Sequence, residues 1–246
     1  MSFVGRFVSQ ARNPPCIMRP VDSSVVNKQI RRIVWPLLRD AGFTQFTTRS
    51  AWRYAPTKID VVNFQSFNSY LAEGIGSTTF SFAIRPGCSF DAIPRRETVE
   101  RRDGYFRPKE WECHFRLALR KTIVQPDLKR EDVWYVDPLG QNLGMVMENA
   151  IQTISDVAFS WFDRFNDSNE VLRTLLEDSQ TDVGTWGFGN KPSPVRHMMT
   201  GYVALALGKK QVAFEHIQAA LLSGCFKDLD DNMHSVVHEL NTNSSA

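Results

Sequence analysis

The residues best suited to grip a polar ligand are Trp52, Tyr54, Asn63, Gln65, His114, Arg116 and Trp134. Amides and a guanidinium beside aromatic rings suit a polar ligand or a peptide carboxylate: the rings supply apolar area and the polar heads fix orientation. All seven fall on strand-like runs, so they are expected to meet on a sheet. A plainer reading puts the aromatics in the core and leaves Asn63 and Gln65 satisfying backbone groups at a strand irregularity.

A second group is the basic stretch 95–109, with Arg95, Arg96, Arg101 and Arg102 followed by Arg107 and Lys109, beside Glu97, Glu100 and Asp103. Tyr105, Phe106 and Trp111 add stacking surface, and cations among aromatics suit a phosphate backbone. The interleaved acids point instead to a solvated loop, so nucleic acid is not the expected partner. Asp230, His234 and His238 recur every four residues, a spacing that lets imidazoles share a zinc ion. The acid that a metalloprotease carries between its histidines is missing, and no metal or cofactor is expected. Gly184–Lys191 resembles a phosphate loop only in its outer glycines. Asn190 occupies the lysine position, Pro192 follows, and no strand precedes it, so linker glycines are expected. No nucleophile elbow or paired carboxylates appear, and no catalytic residue is assigned.

The elements that must position these groups follow from periodicity. Val26, Ile30, Ile33, Leu37 and Ala41 form one apolar stripe and predict a helix over 25–41. Asp22, Ser23 and Ser24 are available as N-caps and Gly42 as its stop, with a kink where Pro36 presses on the Arg32 carbonyl. Residues 46–54 alternate as a strand, Ala55-Pro56-Thr57 turns the chain, and 59–67 returns. A third strand is expected over 78–85, ended by Pro86-Gly87, then a long connection over 86–109. A fourth strand is expected over 111–120, with Trp111, Cys113, Phe115, Leu117 and Leu119 on its core face and Glu112, His114, Arg116 and Arg120 on its wet one, and a short fifth over 133–136. Helical spacing predicts a long helix over 139–165, a short one over 169–177, and three more over 195–207, 210–222 and 229–240. Gly201, Gly208, Ala213, Phe214, Ile217, Ala220 and Leu221 fall in the register of a single tetratricopeptide-like helix pair, which must pack on something else.

Strands followed by helices predict an α+β fold: a mostly antiparallel four- to five-stranded sheet covered on one face by helices, with a small α-helical C-terminal extension. The expected organisation is a loosely ordered leader (1–24), a core (25–178), a linker (179–194), a helical extension (195–241) and a disordered tail (242–246). The chain's 246 residues and net charge of +2 fit an ordinary globule with no global pull toward nucleic acid or anionic lipid. The four cysteines lie far apart without a C-x-x-C pair, which suggests reduced thiols and a cytoplasmic setting. No run suits a membrane span.

The ordered series Pro36-Leu37-Leu38, Gly42-Phe43, Trp52-Arg53-Tyr54, Val61-Val62-Asn63-Phe64-Gln65, Glu112-Cys113-His114-Phe115-Arg116 and Trp134-Tyr135 resembles a bacterial family known only as domain of unknown function 4304. That resemblance covers about residues 25–177 and implies a fold and a bacterial cytosolic setting, but no activity. An open sheet face, the lone tetratricopeptide-like helix pair and the lack of a catalytic set make the expected function a non-enzymatic protein-binding or adaptor module, with an immunity or defence role by analogy with the family setting. The alternative is an enzyme or nucleic-acid-processing factor using His114, Arg116 and the basic loop.

Overall fold

The computed structural model describes residues 21–95, 99–125, 128, 130–177 and 184–242. Most of the expected leader, Arg96, part of the expected linker and the last four residues of the tail lie outside the described residues.

Ser23–Gln29 (α1) and Trp35–Asp40 (α2) are one rod joined by a π-helical turn, Ile30–Val34. The Asp22 carboxylate accepts from the Ser24 and Val25 N–H groups at 2.8 and 3.1 Å and caps its start. The π turn is the predicted kink. Pro36 offers no N–H, and the widened turn, in which the Trp35 N–H reaches back to the Ile30 carbonyl, absorbs its ring. Gly42, at φ +88°, ends the rod, and the Phe43 N–H folds back onto the Leu38 carbonyl at 2.9 Å.

Five antiparallel strands follow in chain order across one sheet: β1 (Gln45–Phe46), β2 (Ser50–Ala55), β3 (Lys58–Ser66), β4 (Phe82–Phe90) and, after a two-stranded ribbon of β5 (Arg101–Arg102) and β6 (Tyr105–Phe106), β7 (Phe115–Arg116). The α+β class and the antiparallel sheet are as expected. Several boundaries differ, each for a local reason. The run 46–54 is itself a hairpin, because the Thr47 hydroxyl accepts from the Ser50 N–H at 3.0 Å and turns the chain. Residues 78–81 are a bend held by Thr78 Oγ1 on the Val136 carbonyl at 2.9 Å, and a short helix α3 (Ser69–Gly74) precedes it. Pro86-Gly87 sits inside β4 and does not end it. The Pro86 carbonyl accepts from Leu117 at 2.9 Å, so its missing N–H points the same way, toward the irregular β7 side, and the β3 ladder loses no bond. The connection 86–109 contains the ribbon, whose Asp103-Gly104 turn (φ +52° and +83°) carries the hairpin signal.

The predicted fourth strand shrinks to two residues. Glu110–Glu112 forms a 3₁₀ turn, although the N–H groups of His114, Leu117 and Leu119 still bond along β4. The fifth strand is only a bridge, Phe82 with Trp134.

The long helix comprises α4 (Leu143–Thr153), a second π turn (Ile154–Ala158) and α5 (Phe159–Arg164), followed by α6 (Ser168–Leu176). These helices and α1–α2 cover one sheet face, where Ala51, Val62, Phe64, Ile84, Phe90 and Phe115 join Ile30, Leu38, Val146, Ile154 and Trp161 in one core. Each large apolar side chain buried there stabilises the fold by ~1.5–3 kcal/mol.

The opposite face was expected to be open, and it is not. Trp52, Ile59 and Val61 are buried with Cys113 beneath the segment carrying β5, β6 and the 3₁₀ turn, and Tyr54 and Phe106 pack against them.

The expected linker also differs over its described part. Trp186 exchanges backbone bonds with Arg116 (2.7 and 2.9 Å), and Phe188 packs on Phe115, so 186–188 closes the β7 edge. The C-terminal helices α7 (Pro194–Ala206), α8 (Lys210–Leu222) and α9 (Asp230–Thr242) match their predicted spans closely and share the main core through Met198, Tyr202 and Ile217. Gly201 permits the tight α7–α8 approach, since a Cβ there would lie 2.4 Å from Ile217 Cγ1.

Candidate functional site

Strand alternation puts Trp52, Tyr54, Asn63 and Gln65 on the face away from the helices, and the roof segment turns part of that face into a cleft of about 270 Å³. Its lining includes Trp52 and Asn63 with Glu100, Arg102, Arg107, Lys109 and Trp111. Backbone and side-chain bonds hold the roof down. Trp52 Nε1 donates to the Pro108 carbonyl at 2.9 Å and Tyr54 Oη to the Phe106 carbonyl at 3.0 Å, while within the roof the Arg107 N–H donates to the Glu100 carbonyl at 2.8 Å. Asn63 Nδ2 donates to Ser50 Oγ at 2.9 Å, which holds the amide at the floor.

Arg107 is the central cation. It is 9 % exposed, its guanidinium lies 5.9 Å from the Trp52 ring, and one terminal nitrogen donates to Gln45 (2.7 Å) and Asp103 (3.3 Å). Its Nε–H is enclosed and finds no acceptor among the described residues. Leaving a buried polar group without a partner costs about 1–3 kcal/mol, and more for a charged group such as this guanidinium. Burial raises the Tyr54 phenol, against an opposing pull from the Arg107 charge. At the mouth, Lys109 Nζ lies 5.3 Å from the Trp111 ring, and Trp111 is 57 % exposed. Its alternation had suggested a core position for Trp111, but the 3₁₀ turn rotates it outward.

The other expected site residues do not reach this cleft. Gln65 lies farther along β3 and accepts from Arg85 at 3.4 Å. His114 was expected on a wet face. It is buried, its Nδ1 accepts the Phe90 N–H at 2.9 Å, and its ring stacks on Phe90. Arg116 forks onto Glu110 at 2.6 and 3.1 Å and lies 3.7 Å from the Trp186 ring, beside a second hollow formed by residues 185–190. Trp134 is wholly inside the helical face, with Nε1 on Asn149 at 3.0 Å. Of the basic residues, Arg102 lines the cleft, Arg101 covers Phe106 and donates to the Gly104 carbonyl, and Arg95 pairs with Asp91. His234 and His238 are exposed on α9. Arg107 and Lys109, which sequence reasoning left among the loop charges, line the cleft beside Arg102, and their nearness to Trp111 was the available signal.

Comparison with protein-family models, curated proteins and solved structures finds no match at any of the three. Among the described residues no helix is long and apolar enough to cross a membrane.

Proposed function

We propose that this chain is a non-enzymatic binding module that holds an acidic segment of a protein partner in the cleft between Trp52 and Trp111. The observation that carries this reading is a cleft lined by Arg102, Arg107 and Lys109 against the single lining acid Glu100, with the exposed Trp111 at its mouth. A carboxylate entering there meets the charges of Arg102 and Lys109, with the Arg107 guanidinium behind them. Trp111 supplies the half-exposed aromatic anchor typical of interface hot spots.

Single-stranded nucleic acid fits less well. Asp103 lies 3.8 Å from Arg102 and 3.3 Å from Arg107, which breaks the basic stripe that a phosphate backbone needs.

The test is fluorescence anisotropy with labelled peptides rich in Asp and Glu, against Asn/Gln counterparts and a thymidine oligonucleotide. Saturable binding of the acidic peptides, lost in Arg107→Gln and Trp111→Ala, supports the reading. Equal binding of the neutral peptides, or tighter binding of the oligonucleotide, overturns it.

A further inference from the structure

The α7–α8 pair brings together two imidazoles that lie nineteen positions apart in the chain. His197 projects from the first turn of α7 and His216 from the middle of α8, and their Nδ1 atoms are 3.0 Å apart with ring centroids at 4.9 Å. Both side chains are half-buried, so the pair is fixed by the helix packing yet open to solvent.

We propose that His197 and His216 together form a two-imidazole site for a divalent late transition-metal ion such as Zn²⁺. Two nitrogen ligands about 2.0–2.1 Å from a tetrahedral ion stand roughly 3.3–3.4 Å apart, so a small rotation of either ring admits the metal. As a hydrogen-bonded pair, one Nδ1 carries a proton and the other presents a lone pair. Metal binding requires both Nδ1 lone pairs, so the donor ring moves its proton from Nδ1 to its own Nε2; the neutral pair loses no proton, and binding competes with acid only where an imidazolium would form. Each Nε2 then carries a hydrogen and faces away from the ion. No group of three or more His, Cys, Asp or Glu side chains among the described residues is placed to hold a metal ion, so water would complete the coordination sphere. The Glu215 charge favours a cation here and the Lys191 charge opposes it. Borderline-soft imidazole ligands with open positions suit Zn²⁺ or Cu²⁺ and disfavour Mg²⁺ and Ca²⁺.

The site joins α7 to α8, so occupancy should clamp the helical pair. Calorimetric titration of Zn²⁺ into the untagged chain at pH 7.5 should show one ion per chain, with a heat that does not change with the ionisation enthalpy of the buffer. A rise in Tm should accompany it. His197→Gln and His216→Gln should each abolish both signals, whereas His234→Gln/His238→Gln should leave them intact. Electron paramagnetic resonance of the native chain with one equivalent of Cu²⁺ should show two imidazole nitrogens, a readout independent of whether a variant folds. Zn²⁺ binding that survives both single substitutions, or that vanishes only in the α9 double variant, overturns the proposal. A Cu²⁺ spectrum without two imidazole nitrogens overturns it as well.

Discussion

Lys58 and Asp60 lie on the same face of β3 and meet beneath α5, with Nζ 2.6 Å from Oδ1 and neither side chain accessible to solvent. Nζ also donates to the Phe162 carbonyl at 2.6 Å, and the Asp60 carboxylate further accepts from Arg53 at 2.8 Å and from the Cys88 thiol at 3.3 Å. A charge pair inside a sheet–helix interface needs further hydrogen bonds to offset its desolvation; here Nζ has two acceptors and the carboxylate three donors. Burial, with the neighbouring Asp60 charge next, pushes the Cys88 thiol well up, so it stays protonated and acts as a donor.

The network predicts an asymmetry. Asp60→Asn strips charge compensation from a fully buried ammonium and should cost about 3–5 kcal/mol. Lys58→Met leaves the carboxylate paired with Arg53 and should cost less. Urea unfolding of the two variants gives the comparison, and equal losses would show that Arg53 does not compensate.

At the cleft, stability and binding should separate. Trp111→Ala removes an exposed ring and should change stability by no more than about 0.5 kcal/mol. Trp52→Ala empties a buried site under the roof and should cost about 3–5 kcal/mol. Chemical denaturation of both, beside the peptide titration, checks that Trp111 serves recognition rather than folding.

Gly201→Ala should destabilise α7–α8. Alanine in a helix interior is favoured over glycine by roughly 0.8–1.0 kcal/mol. Here the added Cβ would lie 2.4 Å from Ile217 Cγ1 and 3.0 Å from the Ile217 backbone nitrogen. The backbone cannot rotate away, so overpacking of about 1–3 kcal/mol should win. A lower Tm in the variant confirms this, and an unchanged or higher one refutes it.

The His197–His216 pair also sets a pH dependence in metal-free buffer. Burial, then the neighbouring His197, holds His216 below its ordinary value of 6.5. Glu215 pulls the other way and Lys191 adds to the depression. The unfolded chain thus binds this proton more readily than the folded one. Stability is complete above about pH 6.5 and falls as pH drops through that value toward the folded pKa. Urea midpoints between pH 8 and 5 should decline, and His216→Gln should flatten the decline.

Much of the helical architecture was present in local residue order. Apolar spacing and caps are short-range properties, so α7, α8 and α9 fall within a residue or two of their expected spans, and Pro36 by itself located the disturbed turn. The strands were legible in kind but not in extent. Whether Pro86 ends a strand depends on which neighbour its missing N–H would have faced, and no local pattern records that.

Residue order by itself determined an antiparallel sheet backed by amphipathic helices, because alternation and 3.6-residue spacing each admit one way of burying an apolar face. Only the tertiary structure decided that segment 99–113 folds back over the second face and turns Trp111 outward. It also separated His114 and Trp134 from Trp52 and set His197 against His216. Those outcomes rest on contacts between residues far apart in the chain, whose pairing is chosen by packing and hydrogen-bond satisfaction across the whole molecule and leaves no periodic trace along it.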